Sequence, residues 1–206
     1  SSKVKATPGQ TVNLKAVAAP DKKAAAFYYP AQYWYALMQM PPKSDFPGTG
    51  ENGNGIAATV KSQGEWIRNV VNTDGCTGCH QMGGPATRAI PDSFRGGSED
   101  SRAAWDQRIK SGQAGGGMNA RFTQVGRARA LGMYADWTDR VAAGELPSAE
   151  PSRPQGKERN VVITMWTYND EYGMVHDEVS TDRRNPRLNA NGPIYAVDWT
   201  NDWFIW

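Results

Sequence analysis

The sequence predicts a mainly α-helical chain, with an irregular aromatic arm before the helices and a short β-rich segment after them. Apolar residues recur at helical spacing between 58 and 145, whereas residues 161–206 carry short apolar runs separated by turn residues. The 22 glycines and 13 prolines favour much irregular structure around these elements. We therefore expect an N-terminal strand and arm at 1–57, a helical domain at 58–145, a proline-rich linker at 146–160 and a β-rich segment at 161–206.

The aromatic arm is crowded and bounded by prolines. Six aromatic residues occupy positions 27–38, after a short alternation of apolar and polar residues at 11–17 that fits either one strand or a tail. Pro30, Pro41 and Pro42 limit any helix in the arm to about two turns. Because so many large rings are unfavourable in water, we expect the arm to pack on the helical domain.

Three helices are predicted in the domain at 58–145. The first begins at Ser62, because Ser62 and Glu65 form a capping box. The second covers about 101–111 and ends before Gly112, which suits a left-handed cap. The third covers about 123–143. Their apolar stripes are Trp66, Ile67, Val70 and Val71, then Trp105 and Ile109, then Val125, Leu131, Tyr134, Trp137 and Val141.

The two cysteines of the chain, Cys76 and Cys79, directly precede His80. The spacing C-x-x-C-H is the signature of covalent c-type haem attachment. In such a site both thiols add to haem vinyl groups, and the adjacent imidazole coordinates the iron. A cysteine pair at this spacing fits one helical turn, close to the separation of the two vinyl-bearing edges. The sequence therefore predicts one covalent haem c with His80 as an axial ligand.

Three other interpretations of the motif are weaker. A thioredoxin-like redox pair normally follows a strand at a helix start, whereas here a helix and a loop come first. A zinc site needs further ligands, and His176 is the only other histidine. A disulfide between cysteines at this spacing would be strained and would not need the histidine.

The second axial ligand has several candidates. Met118 follows three glycines in the predicted loop at 112–118, where the backbone can fold against a flat cofactor. Met82 is too close to the motif's histidine to reach the opposite face of the ring, and Met133 lies among the core positions of a predicted helix. A histidine pair formed with His176 would have a lower reduction potential than a methionine–histidine pair. We favour Met118, with Met133 and His176 as alternatives.

Several other side chains are candidates for contact with the haem. Pro85 lies where a backbone carbonyl could orient the second ring nitrogen of the ligating histidine. Trp66 and Trp105 could stack on the ring, although tryptophans on apolar stripes more often fill a core. Guanidinium groups pair well with propionates, and Arg121, three residues after the candidate methionine, is the best placed. The other arginines weighed for this role are Arg88, Arg95, Arg102 and Arg108.

The order of the features along the chain resembles that of a class I monohaem cytochrome c. It runs from Trp66 through the C-x-x-C-H motif, the helix at 101–111 and the methionine loop to a last aromatic helix. In that family the first and last helices cross near the haem, and the methionine ligand lies in the loop before the last helix. The resemblance covers about 58–145 and implies one-electron transfer with a redox partner protein. This chain departs from the family in its short gap between His80 and 84–85 and in its long flanking segments.

The flanking segments resemble part of a larger protein. Residues 160–166 and 176–186 are similar to the region after the cytochrome in large multidomain secreted bacterial proteins. Those proteins join an Ig-type carboxypeptidase-regulatory-like domain, a monohaem cytochrome c and a β-propeller similar to virginiamycin B lyases. The resemblance implies that 161–206 opens a propeller, and that the haem domain is the electron-acceptor module of a larger enzyme or binding protein.

Composition and the motif limit the function further. The formal net charge of +2 gives no case for nucleic acid, and no run of about 18 apolar residues is present to span a bilayer. Haem c is attached on the outer side of the energy-transducing membrane, so we expect a periplasmic or extracellular electron carrier rather than an enzyme. The apolar end at 203–206 also fits a structural subunit that docks on its neighbours, or a chain that continues into further domains.

Overall fold

Helices make up most of the regular structure, as the sequence predicts. The computed structural model describes residues 7–11, 13, 17–71, 75–152, 155–156, 175–179, 182, 184–185, 187–189, 192–198 and 203–205. Within these residues the α-helices are α1 (Lys22–Phe27), α2 (Ala31–Tyr35), α3 (Gln63–Trp66), α4 (Pro85–Arg88), α5 (Ser101–Arg108), α6 (Gly115–Val125) and α7 (Arg127–Ala142). Short 3₁₀ turns cover Lys43–Asp45, Cys76–Gly78 and Asp92–Phe94, and a π-helical turn covers Ile67–Val71. None of the described helices is long and apolar enough to cross a membrane.

Three short strands near the C-terminal end form one antiparallel sheet, in the order β1 (Val175–Val179), β2 (Tyr195–Asp198) and β3 (Trp203–Ile205). They confirm that the predicted β-rich segment contains strands. A bulge interrupts the pairing of β1 with β2 between His176 and Val179. The apolar run at 161–167 and most of the predicted strand at 11–17 lie outside the described residues.

The core is centred on α7, against which α5 and α6 pack. Tyr134 of α7 is 1% exposed and is surrounded by three rings. Their centroids lie at 4.9 Å for Trp105, 5.2 Å for Phe122 and 6.3 Å for Trp137. Burying one large apolar side chain stabilises a fold by about 1.5–3 kcal/mol, so this ring cluster is a main source of cohesion between the three helices.

The first predicted domain helix begins as expected but is short. Ser62 Oγ accepts the Glu65 amide at 3.2 Å and caps α3. The Glu65 carboxylate accepts the Lys61 amide at 2.8 Å, so the reciprocal half of the predicted capping box is displaced by one residue. The helix continues as the π-helical turn, which buries Val70 and Val71. Such turns are frequent at functional sites, and Val70 contacts the cysteine motif.

The predicted third helix at 123–143 is wrong in its extent, because Gly126 divides it into α6 and α7. Gly126 has a φ of +115°, and a Cβ there would lie 2.0 Å from the Gly55 carbonyl oxygen. Only glycine tolerates both conditions. The Ala57 amide donates to the Val125 carbonyl at 2.8 Å. This hydrogen bond joins the end of α6 to the segment that follows Gly55.

The aromatic arm packs on the helical domain, as expected from its rings. The Trp137 indole nitrogen donates to the Trp34 carbonyl at 3.0 Å. Arg140, one turn further along α7, donates to the Leu37 carbonyl at 2.7 Å. Both bonds join residues about a hundred positions apart, so the last long helix holds the arm in place.

Candidate haem cavity

One cavity beside α5, α6 and α7 is lined by Cys76, Cys79, His80 and Met118. The space between its lining atoms is about 840 Å³, including the part that opens to solvent. The enclosed volume that is comparable with known ligand pockets is about 90 Å³, which is below their usual range of about 300–1,000 Å³. The rest of the lining is largely apolar and includes Met82, Phe94, Trp105, Ile109, Phe122 and Tyr134.

The cysteine motif forms one tight turn at this cavity. The Cys76 carbonyl accepts the amides of Cys79 at 3.2 Å and of His80 at 2.7 Å. Just before the turn, a Cβ on Gly75 would lie 2.7 Å from the Val70 carbonyl oxygen, so glycine lets the motif pack directly on the π-helical turn. Cys76 is half-buried, Cys79 is exposed, and the two thiols are not joined in a disulfide.

The Cys76 sulfur takes part in a buried polar contact. It lies 3.1 Å from the Val70 carbonyl oxygen, to which it donates, and 3.0 Å from the Tyr134 hydroxyl, which donates to it. Burial raises the pKa of the Cys76 thiol, although the Tyr134 hydrogen bond and the Arg108 charge act in the opposite direction. The thiol is therefore protonated at neutral pH and is oriented by two neighbours.

The loop after His80 is fixed by its own side chains and by the arm. Thr87 Oγ1 accepts the Gly83 amide at 2.9 Å, and Arg88 donates to the Gly83 carbonyl at 3.0 Å. Gly83 has a φ of +89°, and a Cβ there would lie 1.9 Å from the Ala31 carbonyl oxygen. The backbone that follows the histidine is thus pressed against α2, and only glycine allows this approach.

Met118 lies in the first turn of α6, not in a loop as predicted. Its amide donates to the Ala114 carbonyl at 3.0 Å, and the half-buried residue lines the cavity. α6 begins at Gly115, where a Cβ would lie 2.4 Å from the Lys110 carbonyl oxygen. A Cβ at either of the next two glycines would meet no atom from outside its own helix backbone within 4 Å. Packing among the described residues therefore explains only the first of the three glycines.

Arg108 places a positive charge at the cavity. Its guanidinium donates to the Ala89 carbonyl at 2.7 Å and also to the Ala86 carbonyl. The same group lies 4.8 Å from the centre of the Trp105 ring. Trp105 in turn donates from its indole nitrogen to Thr138 Oγ1 at 3.1 Å. The charge is thus held in a defined position between the loop after the motif and α5.

Other sequence candidates lie away from this lining. Arg121 is exposed on α6, so closeness to the methionine in sequence does not bring it to the cavity. Pro85 is the half-buried first residue of α4. Trp66 is wholly buried in the core, and its indole N–H has no hydrogen-bond partner among the described residues. Met133 is buried and lines a separate surface groove, and the side chain of His176 lies outside the described residues.

Comparisons were made with protein-family models, with curated proteins and with solved structures. Nothing matches. Within the described part of the chain, no group of three or more His, Cys, Asp and Glu residues could hold a metal ion. An interpretation of the cavity therefore depends on its own residues.

The sequence does not predict several lining residues as site residues, and Tyr134, Phe122 and Met82 are three buried ones among them. The sequence pattern indicates Tyr134 only as part of an apolar stripe, yet its hydroxyl reaches the motif. Its signal was a hydroxyl among otherwise apolar core positions, because a buried hydroxyl needs a partner. Phe122 precedes the predicted helix start at 123, and Met82, at 5% exposure, was weighed only as an iron ligand. Nothing in the sequence around either residue distinguishes a side chain that lines a cavity from one that is buried in the core.

Proposed function

We propose that this chain is a monohaem c-type cytochrome that transfers single electrons outside the cytoplasm. The observation that carries the proposal is the convergence of Cys76, Cys79, His80 and Met118 on the lining of one cavity. Three of these residues belong to the C-x-x-C-H motif, but Met118 comes from α6. If the C-x-x-C-H sequence had arisen by chance, there would be no reason for the Met118 thioether to line the same cavity.

The residues of the cavity fit a covalent haem. Cys76 and Cys79 would hold it through two thioether bonds, and His80 and Met118 would bind its iron, a set found in cytochromes c. When bound, the haem iron supplies reversible one-electron exchange. Trp105, Phe122 and other side chains make the lining largely apolar, which would limit the contact of the haem with water on that side.

Two features favour Met118 over the other thioethers as the second ligand. Met82 also lines the cavity, but it lies two residues after His80, which ties it to the same side of the ring. Met133 is buried in the core and faces a different surface groove. Met118 precedes the last long helix, as the resemblance to class I cytochromes c implies, but it lies within α6 and not in a loop.

The decisive experiment is expression with a c-type haem maturation system, followed by a denaturing gel stained for haem peroxidase activity. We expect the stain to follow the polypeptide, and a polypeptide without covalent haem would overturn the proposal. The oxidised protein should show a methionine-to-iron charge-transfer band. Met118→Ala should abolish this band, whereas Met133→Ala, the matched control, should retain it. Persistence of the band in Met118→Ala would move the ligand to another residue.

A second candidate function is a haem module within a larger enzyme, binding protein or assembly. The observation that favours it is an exposed aromatic pair on the small sheet. Tyr195 and Phe204 stack at 5.9 Å between ring centroids and are 37% and 63% exposed. Large exposed apolar groups are common at interaction sites. Light scattering of the haem-loaded protein tests this alternative, because a strict monomer would exclude self-assembly and leave docking to other domains as the remaining form.

A further inference from the structure

The Tyr134 hydroxyl, the Cys76 sulfur and the Val70 carbonyl oxygen form a closed triangle at the cavity. The hydroxyl lies 3.0 Å from the sulfur and 3.2 Å from the carbonyl oxygen. The third side, from sulfur to carbonyl oxygen, is 3.1 Å. The hydroxyl thus has one hydrogen and two acceptors within reach, while the thiol also has a hydrogen to donate to the carbonyl.

Tyr134 is held in this position from the ring side. Trp105, Phe122 and Trp137 surround its ring, and the residue is 1% exposed. A buried hydroxyl that lacks a partner is costly. If the ring turned away, its hydroxyl would lose both acceptors, and the three neighbouring rings pack against it in its present position.

We propose that Tyr134 is a positioning residue for the Cys76 thioether bond, with its hydroxyl orienting the sulfur before attachment and bonding to Val70 afterwards. This inference rests on the proposed function. It concerns one cysteine of the pair only, since Cys79 is exposed and has no contact with Tyr134 among the hydrogen bonds of the described residues.

Attachment of haem to Cys76 requires the Tyr134 hydroxyl to change its hydrogen-bond acceptor from the sulfur to the Val70 carbonyl. The Cys76 thiol adds across a vinyl group, so that a sulfur–carbon bond forms at one vinyl carbon and the thiol hydrogen ends on the other. No electrons are gained or lost overall. The sulfur then has no hydrogen to give, and the Val70 carbonyl loses the donor that it had at 3.1 Å. The Tyr134 hydroxyl, 3.2 Å from that oxygen, is placed to replace it.

The test is the Tyr134→Phe variant, which keeps the ring and removes only the hydroxyl. The variant and the unaltered protein are expressed with the same haem maturation system, and proteolytic peptides are weighed to find which cysteine carries haem. We expect chains bonded through Cys79 alone to become about fivefold more frequent in the variant, the scale of one lost hydrogen bond. The unaltered protein should be bonded mainly through both cysteines.

Thr138→Val is the matched control for a purely structural effect. Thr138 is 3% exposed on the same helix, accepts the Trp105 indole N–H and donates to the Tyr134 backbone carbonyl, and none of these hydrogen bonds reaches the motif. We expect this variant to lower the yield of haem-loaded protein without changing the ratio of Cys76 to Cys79 attachment. A general loss of stability would affect both cysteines, whereas a positioning role affects Cys76.

The possible outcomes separate the two proposals. If the unaltered protein carries both thioether bonds and Tyr134→Phe carries them in the same ratio, the positioning role is overturned and the cytochrome assignment stands. If Thr138→Val shifts the ratio as strongly as Tyr134→Phe, the hydroxyl has no special role and the inference is also overturned. If the unaltered protein carries no covalent haem, the proposed function fails and the inference fails with it.

Discussion

The Arg88 guanidinium lies 4.1 Å from the centre of the Trp34 ring, so the loop that follows the cysteine motif rests on the aromatic arm. Both residues are buried, at 7% and 6% exposure. Trp34 is also fixed by its indole nitrogen, which donates to the Ala26 carbonyl at 3.0 Å. Stacking of a guanidinium on an indole is strongest when water is excluded. The arm is therefore part of the structure that supports the motif.

Replacement of the tryptophan should weaken the whole domain. We expect Trp34→Leu to lower the free energy of unfolding by about 3 kcal/mol, because a buried ring and its cation contact are lost. The control is Tyr28→Leu, which alters an aromatic residue that is 61% exposed and should change stability by about 0.5 kcal/mol or less. Denaturant titration measures both. Equal effects would mean that the arm is not packed as described.

Gly83 offers a sharper test of the contact between the arm and the loop. Gly83→Ala should cost about 3 kcal/mol or more, because its Cβ would meet the Ala31 carbonyl oxygen in addition to the strain of a positive φ. Gly97→Ala is the matched control, since Gly97 has a φ of +81° but no atom within 4 Å of the added carbon. It should cost about 1 kcal/mol from backbone strain alone. The difference between the two, measured by thermal unfolding, isolates the contact.

Stability should fall in acid partly through Asp106. This residue of α5 pairs with Arg127 of α7 and with Lys110. Burial alone would raise the pKa of the Asp106 carboxyl, but hydrogen bonds from Lys110 and Arg127 outweigh it and hold the pKa below its ordinary value. A carboxyl with a lowered pKa stabilises the fold above its unfolded-state pKa of about 3.9, and this contribution is lost as the pH falls through the folded-state value.

We therefore expect Asp106→Asn to be less stable than the unaltered protein at neutral pH, and the gap to close as the pH drops below about 4. Glu99→Gln, which changes an exposed carboxylate, is the control. Urea titrations across this pH range provide the measurement. A gap that stays constant down to low pH would show that the ion pair is not the source of the difference.

Under the proposed function, the charge of Arg108 should raise the reduction potential of the haem. A fixed positive charge disfavours the oxidised, more positive iron, so Arg108→Gln should lower the reduction potential. A shift of about 40 mV corresponds to about 1 kcal/mol in a one-electron couple. Arg121→Gln removes an exposed arginine outside the lining and should have little effect. Redox titration of both variants decides whether Arg108 or Arg121 is the arginine that matters.

Local signals in the sequence predicted much of the helical framework but little of the cavity wall. Ser62 marks a helix start through its own chemistry, and the structure confirms this prediction. Gly112 has the predicted positive φ, but α5 ends at Arg108, so the predicted helix end at 111 is wrong and Gly112 is not its cap. The break at Gly126 could not be foreseen, because it arises from the distant Gly55. Arg121 was favoured for its closeness to Met118, yet contacts across the chain bring Arg108 to the cavity.

Two glycines lie directly against the backbone of a distant segment, and this packing indicates which positions a relative of this chain should keep. Gly126 meets the Gly55 carbonyl, and Gly83 meets the Ala31 carbonyl, so neither tolerates another residue while the fold is kept. A homologue can change most surface and many core positions, but it should retain C-x-x-C-H-x-x-G followed by a glycine between its last two long helices. Overall sequence similarity is lost first when proteins diverge. A search with this pattern does not depend on that similarity.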